Sequence, residues 1–232
     1  MVNYHVNIIL ILRLGMILTI ANTKGGVGKS TLAVNIAAAR ALQGRKVWLV
    51  DGDKQGSSQT AILVRSESGV TPGIACSHYP DGAVLRSQVL LQKDGFDDVI
   101  IECGGRDSTA MRAALTLTDV FLCPTAPGSF EAWAMDANRD LVREARSIRD
   151  GLVCYALLNK ADTHPKASDN AEMLEMMEEY KDDMPILNTT IYSRKAFSNA
   201  AGSGRTVKEL KLRSREKVAI DELDKLISML FE

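Results

Sequence analysis

Thr23-Lys24-Gly25-Gly26-Val27-Gly28-Lys29-Ser30-Thr31 follows the apolar run 16–21 and precedes a helical pattern over 32–42. The order is strand, glycine-rich turn, helix. Three glycines in four positions let the backbone curl until successive N–H groups point inward. With the positive end of the following helix they form an anion cradle. Lys29 can reach the outer phosphates of a nucleotide, and the Ser30 hydroxyl can hold Mg²⁺. The general phosphate-loop pattern, Gly-x-x-x-x-Gly-Lys-[Ser/Thr], would start at position 23, which is threonine here. The stretch therefore reads as the deviant form Lys-Gly-Gly-x-Gly-Lys-[Ser/Thr], with Lys24 as its extra basic residue.

Working outward, Gly44 reads as the stop of the first helix. The run 46–50 then ends in Asp51-Gly52-Asp53-Lys54-Gln55-Gly56-Ser57. Two acidic residues one apart, at the carboxyl end of a parallel strand, stand where open α/β sheets bind ligands. Hydrolysis of a γ-phosphate needs a held Mg²⁺ and a water held in line. Residues 97–101 form another apolar run, ending in Glu102-Cys103-Gly104-Gly105, and either Asp107 or Ser108 reads as the N-cap of the next helix.

These motifs resemble the ParA/MinD group of ATPases, and the later residues resemble the ParA partition ATPases more closely. The resemblance implies ATP and Mg²⁺ as cofactors. It implies that Gly25, Gly26, Val27, Gly28, Lys29, Ser30 and Thr31 cradle the nucleotide, and that Lys24 crosses a dimer interface to the partner's phosphates. Asp51 takes the position that supports Mg²⁺ through water, and Asp53 the position that orients the attacking water. Lys24, Lys29 and Asp53 are thus the expected catalytic residues, and Ser30, Asp51 and Glu102 the expected metal residues. Two departures stand out. Lys54 replaces the usual proline, and Glu102 replaces the usual aspartate, which puts the rate of hydrolysis in question more than nucleotide binding. Gly104 and Gly105 would let the backbone respond to the γ-phosphate.

The strand over 119–123 leads into Pro124-Thr125-Ala126-Pro127-Gly128-Ser129-Phe130, similar to the family's Pro-x-x-Pro loop near the dimer face. On the following helix Arg139, Arg143 and Arg146 share one face with acids beside them, and a solvated salt-bridged face is the reading. The strand over 152–158 ends in Asn159-Lys160-Ala161-Asp162. Taken alone this is the guanine-reading tetrapeptide of GTPases. The competing reading is an adenine pocket in which Asn159 contacts the base, and Lys24 with the Asp51/Asp53 pair favours ATP. The helix over 167–183 is acid-rich, with Met173, Leu174, Met176 and Met177 as its packed side.

The chain has 232 residues and a formal net charge of −1. That length suits one sizeable α/β domain. The charge excludes global attraction to nucleic acid, so any such binding needs a local patch. One exists: residues 205–217 hold six basic side chains against Glu209 and Glu216. Arg205, Lys208, Lys211, Arg213 and Arg215 are the candidate contacts to DNA phosphates. Four scattered cysteines without a Cys-x-x-Cys pair argue for a reduced, cytoplasmic protein and against a metal cluster. The last helix, about 216–231, has an apolar stripe, but Asp221, Glu222, Asp224 and Glu232 oppose an anionic membrane, so it reads as packed.

Alternation of strand and helix over 16–232 predicts one doubly wound α/β domain, its sheet mostly parallel with helices on both faces. Residues 1–15 read as an extension. An erroneous upstream start is favoured over a disordered segment, an edge element or a membrane tether. The resemblance implies the short ParA type without an N-terminal DNA-binding domain. It implies a plasmid partition ATPase: an ATP-bound homodimer binds the nucleoid non-specifically and is released when a centromere-binding partner stimulates hydrolysis. The alternatives are an ATPase that positions a protein cargo and a MinD-like membrane-associated regulator of division. No stable membrane insertion is expected.

Overall fold

The computed structural model describes residues 15–105, 108–128, 131–164 and 167–231. The extension 1–14, the Asp107 alternative for the N-cap, Ser129 and Phe130 of the Pro-x-x-Pro loop and the terminal Glu232 lie outside the described residues.

In chain order the elements are β1 (Met16–Ile20), α1 (Lys29–Leu42), β2 (Val47–Asp51), α2 (Ser57–Glu67), β3 (Ala75–His78), α3 (Gly82–Gln92), β4 (Asp98–Glu102) and α4 (Thr109–Leu115). There follow β5 (Val120–Thr125), α5 (Glu131–Ile148), β6 (Val153–Ala161), α6 (Ser168–Glu178), β7 (Ile186–Tyr192), α7 (Lys195–Gly202) and α8 (Val218–Phe231). The strands form one sheet in the order β3-β2-β4-β1-β5-β6-β7. Every pairing is parallel. This is the doubly wound fold that the alternation predicts.

Strand periodicity builds two cores. Leu18, Leu49 and Ile100 face one side of the sheet, against α1, α2, α7 and α8. Ile17, Trp48, Val50, Val99 and Ile101 face the other, against α3, α4, α5 and α6. Successive side chains of a strand point to opposite faces, so central strands covered on both sides must be apolar throughout. β2 and β4 show this between their ends: all five residues of each are buried, and only the terminal Asp51, Asp98 and Glu102 are polar. The run Ala37-Ala38-Ala39 is fully buried, and its small side chains let α1 lie close on the sheet.

Several boundaries differ from the sequence reading. α6 ends at Glu178, before 183. Ser108 caps α4, accepting from the Met111 N–H at 3.1 Å. On α6, Met173 and Met177 are buried, but Leu174 is 38% exposed and is not part of the packed side. α8 does pack, against β7 and α1. Its first apolar residue, Val218, is largely exposed, and Glu222 is buried. Glu222 faces inward because its carboxylate accepts from the Arg194 guanidinium at 2.7–2.8 Å and from the Tyr192 N–H at 3.2 Å.

The arginines of α5 are paired as expected. Arg139 meets Asp136 and Asp140, while Arg143 and Arg146 meet Asp183. No helix among the described residues is long and apolar enough to cross a membrane.

Candidate nucleotide-binding site

Register converges the acidic residues on the loop. Glu102 ends β4 level with Ile20 of β1 on one side and with Asp51 of β2 on the other. The three carboxyl ends surround a cavity of about 700 Å³. Its lining includes Gly26, Lys29, Ser30, Asp53, Glu102 and Lys160.

The 23–31 stretch turns into α1 through two left-handed residues, Gly26 at φ +80° and Gly28 at φ +94°. Gly28 is required twice over. A Cβ there would be strained, and it would stand 2.6 Å from the Asn159 amide nitrogen. Asn22 braces the start of the loop. Its side-chain oxygen accepts from the Lys24 N–H at 2.8 Å and from the Asn138 amide at 2.9 Å, and its own amide donates to the Pro124 carbonyl at 2.9 Å. Asn138 in turn accepts from the Thr23 N–H at 3.0 Å.

Lys29 is buried, and its ammonium donates to the Lys24 carbonyl at 2.8 Å. Burial lowers its pKa, and the negative charges of Glu102 and Asp53 work against that shift. Burial raises the pKa of Asp51, although its carboxylate accepts backbone N–H groups from Gln59 and Asp53 at 2.9 and 3.0 Å. Glu102 is pushed up to about 8, first by burial and then by Asp51, while Lys29 opposes the shift.

One Glu102 oxygen lies 3.4 Å from the Ser58 hydroxyl, which donates to it; the other, Oε1, is buried with no hydrogen-bond partner. A buried acceptor without a donor is costly. A cation beside it relieves that cost. Ser30 lines the same cavity as Glu102, and Asp51 stands on the next strand. One hydroxyl and nearby carboxylates suit Mg²⁺, which keeps most of its waters and takes phosphate oxygens as ligands. Among the described residues no three His, Cys, Asp or Glu side chains form an all-protein metal cage, which this ion does not require. The donor set fits the ion.

Both glycines after β4 are close-approach positions. A Cβ on Gly104 would meet the Asp53 carboxylate at 2.7–2.9 Å, and one on Gly105 would meet the Gly25 nitrogen at 2.8 Å. The segment after β4 thus touches both the acidic loop and the phosphate loop.

Asn159, the expected base contact, donates its amide to the Val27 carbonyl at 2.6 Å and so holds the loop. It also lines a second cavity of about 390 Å³, which continues from the first through the shared Gly28, Thr31 and Lys160 and is closed by residues 191–195 with Phe197 and Ser198.

Sequence reasoning missed Lys160 as a loop contact. Its ammonium donates to the Gly26 carbonyl at 2.6 Å from a backbone at φ +53°. It missed Asn22 and Asn138 too. The available signal was a polar residue inside the apolar pattern at each position.

Residues 18–207 match the family model described as the CobQ/CobB/MinD/ParA nucleotide binding domain. The chain belongs to this family. The ParA/MinD-type domain is also 28% identical over 213 residues to "Maintenance of carboxysome distribution protein A" of Halothiobacillus neapolitanus, covering 91% of this chain and 94% of that relative. It is 51% identical to the "Chromosome-partitioning ATPase Soj" of Thermus thermophilus, but over only 53 residues, 23% of this chain and 21% of Soj. The structure of a Cyanothece McdA variant in complex with ATP shares the fold, with a TM-score of 0.73 at 17% identity over 92% of this chain and 96% of that one.

The basic segment lies away from this cavity. Lys211, Arg213, Arg215 and Lys217 are exposed, and Arg205 is half-buried. The Lys208 ammonium is tied to Asp224 at 2.5 Å, which removes much of its charge from the patch.

Proposed function

We propose that this ParA/MinD-type protein is an Mg²⁺-dependent ATPase that positions a cargo along DNA. The observation that carries the reading is the buried, partnerless Glu102 oxygen beside Ser30 and Asp51, at the mouth of a loop bearing both Lys24 and Lys29. Lys29 lies buried beneath the loop, where its charge is directed at the phosphates. Asp53 borders the cavity and is the group to hold the attacking water, and Lys24 is the group to reach a second protomer's nucleotide. Bound Mg²⁺ would supply charge neutralisation at the β- and γ-phosphates. Two protomers closing on ATP would bring two copies of the segment 205–217 onto one duplex, and doubling a weak patch strengthens it steeply. A partner protein that stimulates hydrolysis would release the dimer.

The cargo has two readings. A plasmid bound through a centromere-binding protein fits the ParA-like motifs. A protein cargo is favoured by one observation, the near full-length similarity to a carboxysome distribution protein, against a purely local match to a chromosome-partitioning one.

The test is binding of the purified protein to arbitrary duplex DNA with ATP, with ADP and without nucleotide, over a salt series, alongside Lys24→Ala. Binding that needs ATP, falls steeply with salt and disappears in the variant is expected. Indifference to DNA in every nucleotide state would refute the reading and direct attention to lipid vesicles.

A further inference from the structure

Two helices lead away from the nucleotide loops, and each bonds the root of the basic segment. α1 begins at Lys29, and its second turn carries Asn35, which is fully buried. The Asn35 amide donates to the Phe197 carbonyl at 3.2 Å, and its side-chain oxygen accepts from the Val207 N–H at 3.0 Å.

α2 begins just after Asp53. Its first turn is built on the metal-side carboxylates: the Gln59 N–H donates to Asp51, and the Ser58 hydroxyl to Glu102. Further along α2, about 9 Å beyond Gln59 at 1.5 Å per residue, Arg65 is almost wholly buried. Its guanidinium donates to the Pro72 carbonyl at 2.9 and 3.0 Å, to the Gly204 carbonyl at 2.9 Å and to both Glu209 oxygens at 2.9 Å.

The loop that receives these bonds has no slack. Gly204 sits at φ +63°, and a Cβ there would meet the Ala61 carbonyl oxygen at 2.2 Å and the Arg65 Cβ at 2.6 Å. Thr206 and Val207 are fully buried. The exposed cations Lys211, Arg213, Arg215 and Lys217 begin two residues beyond Glu209. A buried, bidentate ion pair flanked by three further bonds to carbonyls is a directional joint, because any rotation of α2 breaks several of them together.

We propose that α1 and α2 are rigid struts carrying the state of the nucleotide site to the DNA-binding segment, with Asn35 in the second turn of α1 and Arg65 in the last turn of α2 as the positioning residues. This rests on the proposed function, in which 205–217 meets DNA. A small movement of Asp51 or Ser58 on nucleotide binding is delivered to residues 204–209 because packed elements shift as bodies and do not deform continuously.

The test uses the full chain and the double substitution Arg65→Met/Glu209→Met, which removes both charges and so leaves neither partner buried and unpaired. Asn35→Leu probes the other strut. Two measurements are made on each: duplex-DNA affinity with ATP and with ADP, and hydrogen exchange of amides 204–217 with and without nucleotide. ATP-driven dimerisation and basal ATP turnover serve as controls.

In the wild type, ATP should slow exchange over 204–217 and raise DNA affinity at least tenfold over ADP. In the double variant, dimerisation and turnover should stay within about twofold, while the exchange response vanishes and the ATP-to-ADP affinity ratio falls to about one. A folded variant keeping the wild-type ratio would overturn the inference. So would a wild type in which ATP leaves exchange over 204–217 unchanged, a result that also decides the matter should the variants not fold. If the wild type ignores DNA but ATP still alters that exchange in a manner dependent on Arg65, the DNA reading fails and the strut inference stands.

Discussion

The two ends of β4 hold buried carboxylates in opposite circumstances. At the amino end, Asp98 accepts from the Arg40 guanidinium at 2.8 and 3.3 Å, Arg45 stands 3.7 Å away, and Arg40 lies over the Phe231 ring at 4.2 Å. At the carboxyl end, four residues on, Glu102 is equally buried but keeps an oxygen without a donor and has a pKa near 8. A protein that can satisfy one buried acid with an arginine pair has left the other incomplete. The difference separates an ion pair that holds the fold from the group we propose to meet a cation. It also locates the site at the end of the sheet where α/β folds bind ligands.

The largest effect should come from breaking the satisfied end. Asp98→Ala leaves the Arg40 guanidinium buried without its carboxylate and should cost about 3–5 kcal/mol of stability. Chemical denaturation reads this, and saturating nucleotide should recover part of the loss without curing it. Next is Lys29→Ala at the other end, which should lower ATP turnover by about 10²–10³-fold, the scale of losing one group aimed at developing charge. Its effect on unliganded stability should be small or favourable, since burial already disfavours the Lys29 ammonium.

A smaller effect is expected of Asn159→Ala. The Val27 carbonyl would lose its 2.6 Å partner, and nucleotide affinity should fall by about 1 kcal/mol, roughly fivefold, by titration.

The pH response sharpens the contrast most finely. A carboxyl whose folded pKa is raised binds its proton more tightly in the folded state, so it favours the fold at low pH. Its stabilisation is lost as pH climbs from the ordinary carboxylate range through about 8. Unliganded protein should therefore lose melting temperature over that window, by about 2–4 °C for each kcal/mol. Glu102→Gln should flatten the slope.

Much of the site was legible because each motif residue is a local chemical statement. A glycine-rich turn before a helix, and acids at strand ends, carry their meaning within a few positions. The fold followed from periodicity, since β2 and β4 are apolar on both faces. What escaped was set by tertiary register. Asn138 and Lys160 act on the loop from more than a hundred residues away, and Asn22, which adjoins the loop, is held by the distant Pro124 and Asn138. Leu174 and Glu222 depart from their expected faces because neighbouring elements decide which side of a helix is covered: Arg194 meets Glu222, and Leu174 is left 38% exposed. The cluster 205–217 shows the same limit, for the sequence counts Lys208 as a free cation while the fold ties it to Asp224.

The most direct measurement is the proton balance of MgATP binding at pH 7, by calorimetry in buffers of different ionisation enthalpy. If Glu102 is the incomplete partner of a cation, binding should release about one proton per site from the wild type and none from Glu102→Gln. MgATP binding that releases no proton from the wild type, or equal amounts from both proteins, would contradict the account.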